Sequence, residues 1–355
     1  MKQSVEKIDK NFLAGSSITR EDIDWYELPC EPFEIRGLAA CAQGKYYRLP
    51  EDIVDRVNEG VCTLGRHTAG GRIRFATDSP FIAYRAQLRY TGSMSHMPLT
   101  GSAGTDVFVD GRSVTTFRPT DDTQEWYDGF VEYLPEKMKQ IEMGLPLYNG
   151  VKQMFVGVKQ GSKVEKPRAY RVEAPVVYYG SSITQGGCAS KPGNSYQGFL
   201  SRRLDSDHVN LGFSGNGKGE PIMAEYIASL KMSAFVMDYD YNATTVEDLM
   251  ATHRPFFEII RRAQPELPII MVSHPPRGGF NDENTQTRKA VIRETWETAV
   301  KQGDEKVWFV DGETLFGDEE VYDCTMDGVH PNDLGFSRMA QTLYPVLKEA
   351  LGMEA

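Results

Sequence analysis

The chain reads as two domains, an all-β sandwich or jelly roll followed by an α/β domain on a parallel sheet. Three observations carry this. At 355 residues the chain exceeds one ordinary core. Its first half holds short segments that alternate apolar and polar residues between turn signals. Its second half alternates β-branched apolar runs with helical patterns, as parallel strands with crossover helices do. The polar, basic stretch 159–168 separates the two regimes. It puts a β accessory domain at 1–165 and the α/β domain at 170–355.

In the first half, 71–77 and 81–90 have the two-residue period of half-buried strands, with Asp78-Ser79-Pro80 as the turn between them. Segment 106–114 reads as a hairpin with Asp110-Gly111 at its tip. Further strands fall at 130–134 and 139–143. In the second half the apolar runs predict strands at 175–180, 208–212, 234–239, 268–273 and 306–311. Helices are expected at 195–205, 219–231, 246–264, 285–302 and 333–351. The last carries Leu334, Met339, Leu343, Val346 and Leu347 at helical spacing, and Pro331-Asn332 suits its start.

Composition narrows the function. The net charge of -11, with acids and bases interspersed, argues against nucleic acid or an anionic membrane as partner, since both need a basic face. No apolar run approaches the ~20 residues of a membrane span. Residues 1–10 lack the apolar core of a signal peptide, so the expected place is the cytoplasm, or outside it if a leader was removed. The cysteines Cys30, Cys41, Cys62, Cys188 and Cys324 are odd in number and widely spaced, without Cys-x-x-Cys. That reads as free thiols rather than a disulfide framework or zinc knuckle. Cys188 and Cys324 lie close in sequence to the residues considered next.

Ligands of an open parallel sheet bind outside the carboxyl ends of its strands. Five segments fall there or in the loop after the last strand: 180–184, 210–215, 240–242, 273–275 and 327–331. Together they offer what ester hydrolysis by a serine requires. Ser182 is the candidate nucleophile, presented by a turn at Gly180. Ser181, Ser182 and Thr184 equally suit a helix cap. His330 is the candidate base, with Asp327 three residues earlier to orient it; such a turn also occurs in plain surface loops. The N–H groups of Ser182 and Gly215 and the Asn242 amide would form an oxyanion hole, although Gly and Asn are also turn residues. His274 is a structural or substrate-contacting histidine and the fallback base. A phosphate cradle at 180–186 is the competing chemistry. It lacks both glycine-rich phosphate patterns and leaves Asn242, Asp327 and His330 without a role.

These residues resemble the blocks of the SGNH (GDSL-type) hydrolase superfamily. Gly180-Ser181-Ser182-Ile183 is similar to Gly-Asp-Ser-Leu, Gly215 and Asn242 fall on the middle blocks, and Asp327 and His330 on the Asp-x-x-His block. The string 179–190 looks like one subgroup, which carries an N-terminal β domain marked Gly-x-Asp-Leu-Tyr; Gly104-Thr105-Asp106-Val107-Phe108 is a version of that mark. The plan is also similar to family-two carbohydrate esterases. The resemblance implies a flavodoxin-like three-layer hydrolase domain after a jelly-roll-like domain. It implies a serine esterase that needs no metal or organic cofactor and removes O-acetyl groups from acetylated carbohydrates. Two alternatives stand beside this: an esterase or thioesterase for other small acyl or lipid-like substrates, and a non-catalytic carbohydrate-binding protein on a hydrolase scaffold. Two departures stand out. Ser181 replaces Asp, and Asp240-Tyr241-Asn242-Ala243 replaces Gly-x-Asn-Asp, which adds a carboxylate near the oxyanion. Loop 91–104, rich in Gly, Ser and Met, is expected to reach over the pocket.

Overall fold

The computed structural model describes residues 18–39, 41, 45–277 and 283–354. The expectation placed on residues 1–10 lies outside them. The N-terminal half has ten strands: β1 (Ile23–Glu27), β2 (Glu34–Arg36), β3 (Arg72–Thr77), β4 (Ile82–Leu88), β5 (Thr105–Val109), β6 (Arg112–Phe117), β7 (Trp126–Val131), β8 (Lys139–Gly144), β9 (Val151–Lys159) and β10 (Val164–Glu165). One antiparallel sheet runs β1-β9-β4-β7. The other runs β10-β3-β8-β5-β6, with β2 also on β3. Ile73, Phe75, Val107, Ile141 and Met143 of one sheet and Ile82, Tyr84, Met154, Val156 and Val158 of the other share one core, so the domain is a sandwich. Asp110 and Gly111 both have positive φ, as a tight hairpin between right-twisted strands requires. Among the described residues three short helices interrupt the all-β pattern: α1 (Glu51–Val54), α2 (Glu59–Leu64) and α3 (Leu99–Ser102). Stretch 159–168 is more than a linker, because β10 within it pairs with β3.

The C-terminal half has five parallel strands in the order β12-β11-β13-β14-β15. These are β11 (Val172–Gly180), β12 (Ser206–Gly212), β13 (Ala234–Asp238), β14 (Ile269–Val272) and β15 (Val307–Val310). In chain order this is 2-1-3-4-5, the flavodoxin-like arrangement. The helices are α4 (Ser182–Gln185), α5 (Tyr196–Leu204), α6 (Pro221–Ser229), α7 (Val246–Ala263), α8 (Glu283–Lys301) and α9 (Asp333–Ala350). Alternate strand residues feed opposite cores. Val177, Tyr179, Phe235 and Met237 pack with α6, α7 and α8. Val176, Tyr178, Val236 and Ile270 pack with α5 and α9. The domain is therefore a three-layer α/β sandwich.

Charged residues join the two halves. Buried Arg72 of β3 pairs with buried Asp207 of β12. Asp106, the aspartate of the Gly-x-Asp-Leu-Tyr-like mark, is fully buried. It accepts the N–H of Gly144 at 3.1 Å and that of Gly193, in the loop after α4, at 2.7 Å. A Cβ on Gly193 would lie 2.6 Å from the Phe108 ring, so the loop rests directly on β5. Burial pushes the Asp106 carboxyl up to about 6, against the pull of the Gly193 N–H. Asp106→Ala would leave one buried and one half-buried N–H group unpaired and should cost about 1–3 kcal/mol in urea unfolding. The folded value lies above the unfolded one. The side chain's contribution is therefore greatest below about pH 4 and should shrink toward about pH 7, narrowing the gap between wild type and variant.

Candidate active site

The serine turn forms where β11 ends. A Cβ on Gly180 would lie 2.0 Å from Thr184 Oγ1 and 2.1 Å from the Asp238 carbonyl. One on Gly212 would lie 2.1 Å from the Gln185 nitrogen. Only glycine allows these approaches. The cap and nucleophile readings of this segment are both satisfied, by different residues. Ser181 is the N-cap of α4 and accepts the Ile183 N–H at 3.2 Å, while Thr184 Oγ1 accepts the Ser181 N–H at 3.2 Å. Thr184 in turn donates to Asp238, a buried carboxyl held well above its ordinary value by burial and by nearby Asp240. Ser182, excused from capping, points its hydroxyl at His330.

His330 sits in a turn that braces itself. Asp327 Oδ1 accepts the N–H groups of Val329 at 3.0 Å and His330 at 2.8 Å, and Gly328 takes a positive φ of 82°. Asn332 then caps α9 by accepting the Leu334 and Gly335 N–H groups. Asp327 Oδ2 lies 2.7 Å from His330 Nδ1, and His330 Nε2 lies 3.0 Å from Ser182 Oγ. A carboxylate on Nδ1 fixes the proton there and leaves the Nε2 lone pair for the serine proton. Partial burial would raise the Asp327 carboxyl. The His330 N–H and ring and the Val329 N–H outweigh it and hold the carboxyl down to about 2.

The expected oxyanion donors lie on loops tied to the serine turn, where the Phe213 N–H donates to the Gly180 carbonyl at 2.9 Å. Neither the Ser182 nor the Gly215 N–H has an intramolecular partner among the described residues. Gly215 has a positive φ of 67°, with open space where a side chain would be. Asn242 gives one amide hydrogen to the Phe213 carbonyl at 2.9 Å, which ties its turn to the loop after β12 and leaves the second hydrogen. The side-chain Oε1 of Gln185 accepts the Ser214 N–H at 3.0 Å. The Asp240 carboxylate accepts the Tyr241 N–H at 2.9 Å and the His274 N–H at 3.1 Å. Burial pushes it up to about 6 although those donors and Arg288 oppose this. The added carboxylate is thus absorbed by the backbone.

His274 is buried. Its Nδ1 lies 2.5 Å from the Pro275 carbonyl, its ring is 3.9 Å from that of Tyr241, and burial lowers it to about 3. Those contacts suit the structural role. Cys324 is buried against α9, whereas Cys188 lies beside the site with a positive φ of 75°. Burial, aided by Asp327, pushes the Cys188 thiol up to about 12.

Four neighbours escaped the sequence reading, all from the β half. Tyr148 donates to the Ser182 carbonyl at 3.2 Å. His67 meets Tyr90 edge-on and lies tilted against Tyr148, with ring centroids 5.6 and 6.3 Å away. His96, in loop 91–104, brings its ring to 5.8 Å from His330, so the loop does reach this site. Arg48 is fully buried and donates to the Asn210 carbonyl at 3.2 Å and the Gly212 carbonyl at 2.5 Å, with its guanidinium 4.6 Å from the Phe213 ring. It holds the strand end that leads to Gly215. No local motif marks these residues, because their partners lie far away in sequence.

Two sheets making a sandwich, a 2-1-3-4-5 parallel sheet and a serine, histidine and aspartate in line point to a two-domain acylhydrolase. Comparison with known proteins agrees. The GDSL-like lipase/acylhydrolase family matches residues 173–348, and the GxDLY N-terminus of SGNH-hydrolase-type esterases matches residues 23–164. The chain belongs to the GDSL-like acylhydrolases, in the group with that N-terminal domain, and is an esterase or acylhydrolase. A protein of Bacteroides ovatus assigned to the GDSL-like lipases is 28% identical, with a TM-score of 0.84 over 93% of this chain and 99% of its own. A salicylyl-acyltransferase of a tetracycline biosynthetic pathway is 22% identical, with a TM-score of 0.78 over 94% and 98%. A family-two carbohydrate esterase from Cellvibrio japonicus shares the fold at 12% identity, with a TM-score of 0.61 over 93% and 98%. No curated protein sequence matches. No described helix is long and apolar enough to cross a membrane.

Asp327→Asn keeps the shape but removes the acceptor that sets the His330 tautomer. It should lower kcat/KM by about 10³–10⁴-fold with little change in KM. The depressed Asp327 value means that its ionised form persists above the unfolded value near 4 and is lost only as the pH falls toward 2. Activity lost on acidification from about pH 7 to about pH 5 should therefore not track this carboxyl, as a pH–rate profile checks.

Proposed function

We propose that this chain is a serine esterase that removes O-acetyl groups from acetylated carbohydrates through an acyl-enzyme. The observation that carries it is the unbroken line from Ser182 Oγ to His330 Nε2 at 3.0 Å and from His330 Nδ1 to Asp327 at 2.7 Å. Ser182 Oγ attacks the ester carbonyl as His330 Nε2 takes its proton. The carbonyl oxygen, now negative, is received by the Ser182 and Gly215 N–H groups and the free hydrogen of Asn242. Collapse expels the sugar oxygen, which takes the proton back from His330. Water repeats the sequence on the acetyl-serine and releases acetate. We take residues 170–355 as the catalytic domain, because all these groups come from it. Residues 1–165 act as an accessory domain that steadies and narrows the site through Arg48, His67, His96 and Tyr148.

Two observations support a carbohydrate ester. Aromatic and imidazole side chains with polar tips stand near the site, Tyr148 on the Ser182 carbonyl with His67 and Tyr90 behind it, and His96 beside His330. A family-two carbohydrate esterase from Clostridium thermocellum, solved with cellohexaose, has a similar fold at 15% identity and a TM-score of 0.58.

The test compares wild type with Ser182→Ala on p-nitrophenyl esters of increasing chain length, then on acetylated oligosaccharides. The substitution should reduce kcat by about 10⁴–10⁶-fold. Acetyl should be the preferred acyl group, with acetate released from the oligosaccharide. Full activity in Ser182→Ala would refute the serine mechanism. A preference for long or aromatic acyl groups would refute the acetyl assignment.

A further inference from the structure

We propose that His96, Cys188 and His330 form a zinc site that switches the esterase off. One donor atom from each residue lies within 4.8 Å of the other two. Two imidazoles and a thiol are a donor set that zinc prefers, with a fourth position left for water. The three donors come from separate places: loop 91–104, the loop after α4 and the turn before α9.

The group behind His330 favours the same assignment. His330 Nδ1 is held by the Asp327 carboxylate at 2.7 Å, which leaves Nε2 as the free donor. A carboxylate behind a histidine is the usual support of a zinc-bound imidazole. Tetrahedral zinc with sulfur at about 2.3 Å and nitrogen at about 2.0 Å needs donors roughly 3.3–3.8 Å apart. The cluster must therefore contract by about 1 Å. His96 is half-exposed on a loop and is the member free to close. Cys188 is buried at the end of its turn and supplies a fixed sulfur.

Binding balances as one zinc ion in and one thiol proton out to solvent, with both imidazoles binding as neutral donors. The metal takes the Nε2 lone pair that faces Ser182 Oγ at 3.0 Å, so the serine loses its base. Inhibition rests on the proposed role of His330, whereas metal binding does not.

The experiment titrates the chelator-stripped full chain with cobalt as a zinc analogue and reads the near-ultraviolet thiolate-to-cobalt charge-transfer band. It also titrates p-nitrophenyl acetate turnover with zinc. Wild type should show the band at one equivalent and lose turnover in step with zinc uptake. Cys188→Ser should keep basal turnover and lose the band, and in both Cys188→Ser and His96→Gln the apparent zinc affinity should fall at least ~10-fold. Absence of the band in wild type would overturn the site, as would equal zinc sensitivity in wild type and His96→Gln. If the band forms with its expected variant dependence but no ester is turned over, the metal site stands and the esterase reading fails. If zinc binds and turnover is untouched, the switch is refuted.

Discussion

Where β11, β12 and β13 end, their backbones and the start of α4 approach too closely for any side chain to stand between them. Gly180 and Gly212 mark this constraint, and Gly312 repeats it, since its Cβ would lie 1.9 Å from the His274 carbonyl. The close approach sets the turn that lifts Ser182 from the sheet. It also lets Thr184 of that turn reach Asp238 on the next strand. The loops bearing Gly215 and Asn242 then start from fixed points. A larger residue at Gly180 would move the serine and the oxyanion donors together, because they share one anchor.

The β half finishes what the sheet begins. The proposed reacting groups come from the C-terminal half, but Arg48 grips the end of β12, Tyr148 holds the Ser182 carbonyl, and the Gln185 amide donates to the Leu147 carbonyl at 3.0 Å. Asp106 fixes the loop that follows α4. The proposed chemistry of one domain is therefore positioned by polar contacts from the other. Each such contact buries a charge or an amide whose removal leaves a donor or acceptor unsatisfied.

The α/β half was legible in the sequence almost throughout, because buried parallel strands and amphipathic helices leave unmistakable periods. The run Val307–Val310 and the stripe from Leu334 to Leu347 are examples. In the β half, β1, β9 and the short β2 and β10 went unread. β1 is only partly buried, and the alternation of β9 against β4 is broken by a bulge at Gln87/Leu88. At the site, Ser182, Asp327 and His330 were readable because each sits in a short local turn of its own. Arg48, His67, His96 and Tyr148 were not, since their roles depend on domain packing. The extra carboxylate of Asp240 raised a concern that only its two backbone partners could answer.

The central claim is that His330 activates Ser182, and a fluorophosphonate tests it directly, since it labels a serine only when a base has activated it. The labelled protein is digested and the modified peptide located by mass spectrometry. The geometry predicts one adduct, on Ser182, formed rapidly in wild type and lost in a folded His330→Ala variant. Labelling at another serine, or labelling of Ser182 at the same rate without His330, would contradict it.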